Sequence, residues 1–524
     1  MNLNLFNSVK LTRPNRNKFD LTHDVKMSSK MGQLTPILAL ECVPGDTFHL
    51  GCDSLIRFAP MLAPVMHRID VTMHYFFVPN RIVWPNWEKF ITAEATGGPY
   101  TMPYIVVNSG TPSLIQKYLD YFGIPPITGP TTYRINALPL AAYQMIYDEY
   151  YRDQNLITPV FTPLSNGDNS GDLALTVLRN RAYEHDYFTS SLPFAQKGAA
   201  VSLPLGAVEL RSDWDTNGIR PLFVDSAMNP SPSPTAVYTT NAGANGPWIM
   251  EAATSQPIAY DPNGSLEVGA TTINDLRRAF RLQEWLERNA VGGTRYIEHI
   301  MAHFGVKSSD ARLQRPEYIC GVKSPVVISE VLNTTGPTEF WNGVGNEQTG
   351  SPQGDMAGHG VGVVTGKTGS YFCEEHGYII GIMSVMPKTA YYQGIPRQFL
   401  KDDYLDYFFP SFAHLGEQPV LQSEIFANTA LPNNTFGYVP RYAEYKFLPS
   451  RVAGDFRTTL DFWHLGRKFA ADPNLNQAFI ECHPDDDNCT RIFAVQDGND
   501  YLWCHVLNKI TAIRPMPLFG TPSI

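Results

Sequence analysis

The residues of this chain best equipped for chemistry are scattered, and their spacing argues against most reactions they could perform. Gly366-Lys367-Thr368 ends the run GHGVGVVTGKT as a phosphate-binding loop would, but the first glycine of GxxxxGKS/T would have to stand where there is Val361. His299 and His303 are four apart in a predicted helix, a spacing that can hold zinc. The residue after His299 is Ile300 and not the glutamate that hydrolysis needs, so the pair reads as core or interface histidines. Cys482, His483, Cys489, Cys504 and His505 offer soft ligands at intervals that match no structural zinc module. Asp485, Asp486 and Asp487 could attract calcium, yet the alternation and glycine of a calcium loop are missing, and the run reads as a solvated acidic turn. No GxSxG motif occurs, and no carboxylate pair can be chosen among 50 acidic residues without a fold. The expectation is therefore no catalytic residue, no metal and no cofactor.

The N-terminal arm offers a different chemistry. Before Met31, Lys10, Arg13, Arg16, Lys18, Lys26 and Lys30 stand against only Asp20 and Asp24, while the whole chain carries a net charge of −10. Around RPNRNK the basic groups alternate with proline and small polar residues that cannot easily make a packed core. Lys10, Arg13, Arg16 and Lys18 are thus candidate phosphate contacts. Six such contacts with single-stranded DNA would give a salt slope of about −4, at roughly −0.7 per contact. The plainer reading is an ordinary solvated terminus.

Length and composition limit what must position these groups. A chain of 524 residues exceeds the usual reach of one core, so it holds two or three domains or one core with large insertions. Charged residues make up only 17% and aromatics 12%. Contact surfaces share this bias, because charges resist desolvation and rigid rings bury much area at low entropic cost. A large core with few surface charges would produce the same composition. The start of the chain lacks a secretory apolar run, and YIIGIMSVM (Tyr378 to Met386) is far short of a membrane span. The reading is a soluble chain without membrane insertion whose seven scattered cysteines stay reduced in a cytoplasm.

Extended segments are predicted at 33–43 and 46–58, separated by Pro44-Gly45, and most clearly at 67–78. There Ile69, Val71, Met73 and Tyr75 share one face and Asp70, Thr72, His74 and Phe76 the other. Helical periodicity appears at 84–94, 113–122, 138–152 and 273–290. The last has Thr272 and Asp275 at capping-box spacing, a stripe of Ile273, Leu276, Ala279, Phe280 and Leu286, a Glu284–Arg288 pair, and Gly292-Gly293 as its stop. Ser212 to Ala270 contains NPSPSP, NAGANGP and DPNG, is acidic, and carries Tyr238 and Trp248, which favour an ordered, exposed feature over a linker. Gly336 to Gly369 holds ten glycines and reads as a second long surface or inter-subunit loop. Strands at both ends with helices inside the connections suggest an antiparallel sandwich with long insertions.

The segment Asp275 to Gly321 (DLRRAFRLQEWLERNAVGGTRYIEHIMAHFGVKSSDARLQRPEYICG) resembles the major capsid proteins of the Microviridae, small single-stranded DNA bacteriophages, and in particular their gokushovirus branch. HYFFVPNRIVWPNWEKFIT (His74 to Thr92), YFTSSLPFAQKG (Tyr187 to Gly198) and PRYAEYKFLPSRVAGDFRTTLDFWHL (Pro440 to Leu465) resemble further signatures of that family in the same order. The resemblance implies an eight-stranded antiparallel viral jelly roll with long, partly helical insertions. It also implies about sixty copies in a T=1 icosahedral shell around circular single-stranded DNA, assembled in the cytoplasm of a bacterial host. Implied partners are the packaged DNA, a small basic internal DNA-binding protein of the virion and a host surface receptor. On this reading residues 1–32 are a basic arm on the capsid interior, 33–211 and 271–524 form the barrel, and 212–270 form a threefold protrusion with Tyr238 and Trp248 as host-recognition residues. The alternative from another class is a β-sandwich carbohydrate-active enzyme or lectin.

Overall fold

The computed structural model describes residues 15–94, 100–202, 272–334, 356–366, 369–495 and 498–519, with the backbone of short strands at 208–210, 237–240, 248–251, 266–268, 338–341 and 346–349. Eight long strands carry the architecture: β1 (His23–Ser29), β2 (Thr35–Cys42), β3 (Thr47–Phe58), β4 (Ile69–Pro79), β5 (Glu317–Leu332), β6 (Met356–Thr365), β7 (Gly377–Pro387) and β8 (Leu502–Arg514). All their pairings are antiparallel, and they fall into two four-stranded sheets with orders β1-β8-β3-β6 and β2-β7-β4-β5. This is the jelly-roll strand order, in which chain neighbours alternate between sheets except β4 and β5, which pair with each other. The sheets meet along β5, whose first part to Pro325 pairs with β4 and whose remainder from Val326 pairs with β6.

The space between the sheets is filled by alternate residues of each strand, among them Phe48, Ile56, Val71, Met73, Ile379, Leu502 and Val506. One polar bolt crosses it. The buried Tyr75 hydroxyl on β4 donates to Asn508 Oδ1 on β8 at 2.9 Å, and Asn508 Nδ2 donates to the Ile37 carbonyl on β2 at 2.9 Å.

β4 has no wet face. Phe76 and Val78, on the side opposite Tyr75, join Ile380 and Ile382 of β7 in a second core beneath the chain between the fourth and fifth strands. Two helices close it, α1 (Ser113–Asp120) and α2 (Leu138–Ile146), and every α2 residue except Pro139 is buried. Tyr143 donates to the Leu34 carbonyl at 2.8 Å and ties α2 to the entrance of β2. The helix predicted to run to Arg152 instead widens into a π turn over Tyr147–Tyr151, closed by the Arg152 amide on the Tyr147 carbonyl at 2.9 Å. Its tyrosines reach three different elements: Tyr147 bonds Glu481, Tyr150 the Pro316 carbonyl, and Tyr151 His74.

The glycine-rich run 336–369 departs from expectation. It contains β6, the strand of the first sheet that lies between β3 and the second half of β5, and not only a loop. A Cβ on Gly358 would fall 2.2 Å from the Ala63 carbonyl oxygen and one on Gly360 3.0 Å from the Phe58 ring, so close approach removes the side chains that would have marked a strand. Tyr378 to Met386, largely apolar, is most of β7, and no helix among the described residues is long and apolar enough to cross a membrane.

The chain divides into two compact units, residues 1–195 with 290–524, and residues 196–289. The second holds most of α3 (Ile273–Val291) and the backbone of two hairpins, 208–210 with 266–268 and 237–240 with 248–251. Most of 212–270 lies outside the described residues. At the start of α3 the Thr272 hydroxyl receives the Asp275 amide and donates to the Asp275 carboxylate, and Gly293 with φ +92° follows its end.

The Tyr75–Asn508 bolt yields a stability test. Asn508→Ala leaves the buried Tyr75 hydroxyl and the Ile37 carbonyl unpaired, and is expected to cost about 2–3 kcal/mol in denaturant unfolding of the isolated subunit. An unfolding midpoint equal to that of the unaltered chain would show that the bolt is unimportant.

Candidate functional site

Among the described residues, the structure splits the cysteine and histidine set that the sequence offered as possible metal ligands. Cys504 and His505 are neighbours on β8 and point to opposite faces of the sheet, Cys504 buried and His505 exposed. Cys482 and Cys489 lie buried with their Sγ atoms 3.4 Å apart, but the set they would complete is split by that strand. Asp485 has a structural task, accepting the Lys30 ammonium at 2.6 Å, and Asp486 precedes the helical turn Asp487–Thr490. Among the described residues no group of three His, Cys, Asp or Glu is placed to hold a metal ion. The Gly366 amide bonds the Cys52 carbonyl at 2.6 Å, while Lys367 and Thr368 lie outside the described residues.

His299 and His303 lie side by side, ring centroids 4.4 Å apart and tilted by 47°, on α4 (Tyr296–Phe304), a helix with no fully buried residue.

The basic arm is only partly a free terminus. From Asn17 it enters the first sheet as a short leading strand, Asn17–Asp20, paired with β8, so that Lys18 lies opposite Ile513. Arg16 sits over the Phe372 ring with its guanidinium 5.6 Å from the centroid. Lys30 is withdrawn from the solvent: its side chain is 9% exposed and also donates to the Gly498 carbonyl at 2.7 Å. Lys10 and Arg13 lie outside the described residues. So do the side chains of Tyr238 and Trp248, whose backbones pair in one hairpin with Met250 and Thr240 respectively.

A feature that no short motif marks is the amount of large apolar surface left uncovered. On α4, Phe304 is 74% exposed, with Tyr296 and Met301 also open. The α3 stripe does not pack as a core face; Ile273 and Phe280 are both exposed. A third region follows β7, where short 3₁₀ turns present Phe399, Tyr404, Tyr407 and Phe408, with Leu448 83% exposed. Beside these rings a cavity of 730 Å³ is lined by Tyr391, Tyr445, Phe447, Lys401 and Arg451 among others. Its charges are fixed in place. Burial works against the Lys401 charge, but hydrogen bonds to Tyr445 at 3.0 Å and Glu444 at 3.1 Å outweigh it and raise the lysine pKa. Burial is the largest influence on Glu424 and raises its pKa despite the Arg397 guanidinium at 2.9 Å. Exposed aromatic area on this scale marks surfaces made for contact.

A two-sheet jelly roll clothed in helical insertions, with open aromatic surfaces, has the build of a viral shell subunit. Comparison with known proteins agrees. The profile of the capsid protein (F protein) family matches residues 7–524. Capsid protein VP1 of Bdellovibrio phage phiMH2K is 36% identical over 549 residues, covering 100% of this chain and 98% of that one. Capsid protein VP1 of Chlamydia phage 1 is 34% identical across 99% of this chain and 98% of its own, and that of Spiroplasma virus 4 is 29% identical across 97% and 95%. The chain belongs to the capsid protein (F protein) family: it is a major capsid protein of the Microviridae type, a component of a multi-copy virion shell and not an enzyme. The carbohydrate-active alternative finds no support in these matches.

The open face of α4 supplies a direct test. Met301→Glu with Phe304→Glu places charge where no packing within the subunit is disturbed, so subunit stability is expected to move by no more than about 0.5 kcal/mol. Particle yield should nevertheless collapse, as read by sedimentation. Unaltered particle yield would remove α4 from the contact surface.

Proposed function

We propose that about sixty copies of this chain close into a T=1 icosahedral shell around circular single-stranded DNA, one per equivalent position. The observation that carries this reading is the open aromatic surface of the subunit, combined with a family match along nearly its whole length. Each contact between copies is weak alone, and closure of the shell multiplies them.

On this reading Lys10, Arg13, Arg16 and Lys18 line the interior beside the genome, together with a small basic DNA-binding protein of the virion. The acidic balance of the remaining chain, within a net charge of −10, makes these cations the natural phosphate contacts. Residues 33–211 and 271–524, together with the strand β1 (His23–Ser29) that the arm contributes, form the barrel and its contacts. Residues 212–270 form the protrusion, with Tyr238 and Trp248 meeting a bacterial surface receptor. Assembly takes place in the host cytoplasm.

Electron microscopy and density-gradient sedimentation of the purified chain test the proposal. Closed particles of uniform size are expected. Replacing Lys10, Arg13, Arg16 and Lys18 together with Gln should leave particles that hold less DNA. Such a chain should also bind single strands with a shallower salt dependence, by about 0.7 for each phosphate no longer neutralised. A chain that stays monomeric at high concentration, without particles even in infected cells, would contradict shell formation. Unchanged DNA content in the quadruple variant would take the arm out of packaging.

A further inference from the structure

The outward face of the first sheet carries an arrangement that shell closure leaves unexplained. Along β8, Leu502, Cys504 and Val506 point into the core, and between them Trp503, 51% exposed, and His505 point outward. Register places Arg57 of β3 opposite Trp503 on one side and Ser28 of β1 on the other, and Lys26 of β1 opposite His505. Together with Leu55 these side chains line a shallow concavity of 510 Å³. Asp24 lies 3.6 Å from Lys26 and 3.4 Å from His505, and Lys509 pairs with Asp53. Arg57 has no ion pair among the described residues, which leaves its charge available beside the indole.

We propose that this concavity is a single-stranded DNA subsite, in which a base stacks on Trp503 and the adjoining phosphate meets Arg57, with Lys26 and His505 at its rim. The inference rests on the DNA-packaging reading and adds the residues and the mode of binding. A sheet face with a half-exposed ring flanked by cations is suited to unpaired nucleic acid, because every base has a face to stack and the backbone runs beside it. Continuity with the basic arm favours DNA over a second subunit: the leading strand that carries Lys18 pairs with the same β8, ten residues from Trp503 at Ile513. That separation is about 34 Å of strand, room for several nucleotides between the arm and the indole. Stacking would explain why a large indole stays half-exposed on the outer face of a strand whose inward Leu502, Val506 and Ile510 are buried.

Binding of labelled oligo(dT) to the full-length, disassembled subunit, followed by fluorescence anisotropy across a salt series, tests the subsite. Trp503→Ala is expected to weaken binding about tenfold with an unchanged salt slope, and Trp503→Phe to restore affinity to within about threefold. Arg57→Gln should reduce the slope by about 0.7. Equal affinity of Trp503→Ala and the unaltered chain overturns the subsite, and if the quadruple arm variant then loses affinity, the arm reading survives alone. Loss of particles by Trp503→Ala at unchanged oligonucleotide affinity also overturns it and assigns the ring to a contact between copies. An unaltered chain that forms particles yet has no affinity for oligo(dT) overturns both the subsite and the DNA reading of the arm.

Discussion

The rest of this structure depends on one strand being dry on both sides. Ile69–Pro79 places Val71, Met73 and Tyr75 between the two sheets and Phe76 and Val78 beneath the helical layer. A sheet so clad cannot stand alone in water, because its second apolar face would be exposed. The long connection between the fourth and fifth strands is therefore structural: it supplies α2, whose buried face seals Phe76, Ile380 and Ile382. The first sheet is built differently. Its outer face carries Trp503, His505 and Lys509 and stays wet in the subunit, so the two sides of the sandwich are chemically unlike. A closed shell needs such a difference, since one side of each subunit must meet the genome and the other the outside.

Much of the scaffold was legible because its signals are local. Period-two alternation located β4, Pro44-Gly45 separated β2 from β3, and the capping residues and Gly292-Gly293 bounded α3. β6 was hidden, because its apolar pattern is written in glycines that make room for Ala63 and Phe58, and those neighbours are distant in sequence. Lys30 was misjudged for a similar reason. Nothing in a basic terminus announces that one lysine will be buried against Asp485, 455 residues away.

The site was less legible than the scaffold. Motif spacing gave no ground for treating the histidine pair, the cysteine set or the acidic run as catalytic centres, and a shell protein works through its surfaces. A surface has no spacing rule. The stripe of α3 has the same period whether it faces a core or water, and only the fold shows that Ile273 and Phe280 are exposed. Low charge and abundant aromatics pointed to buried contact area without saying where it lay.

These open surfaces make the subunit incomplete by itself. Phe304, Phe399, Tyr404 and Leu448 expose apolar area whose burial is worth about 25 cal/mol per Å², a driving force realised only when copies meet. A reconstruction of the assembled particle by electron cryomicroscopy tests this most directly. Phe304, Tyr404 and Leu448 should each lie within van der Waals contact of a neighbouring copy, with the β1-β8-β3-β6 face turned toward the genome. Particles in which those three side chains remain in solvent, or in which that sheet face forms the outer surface, would contradict the account.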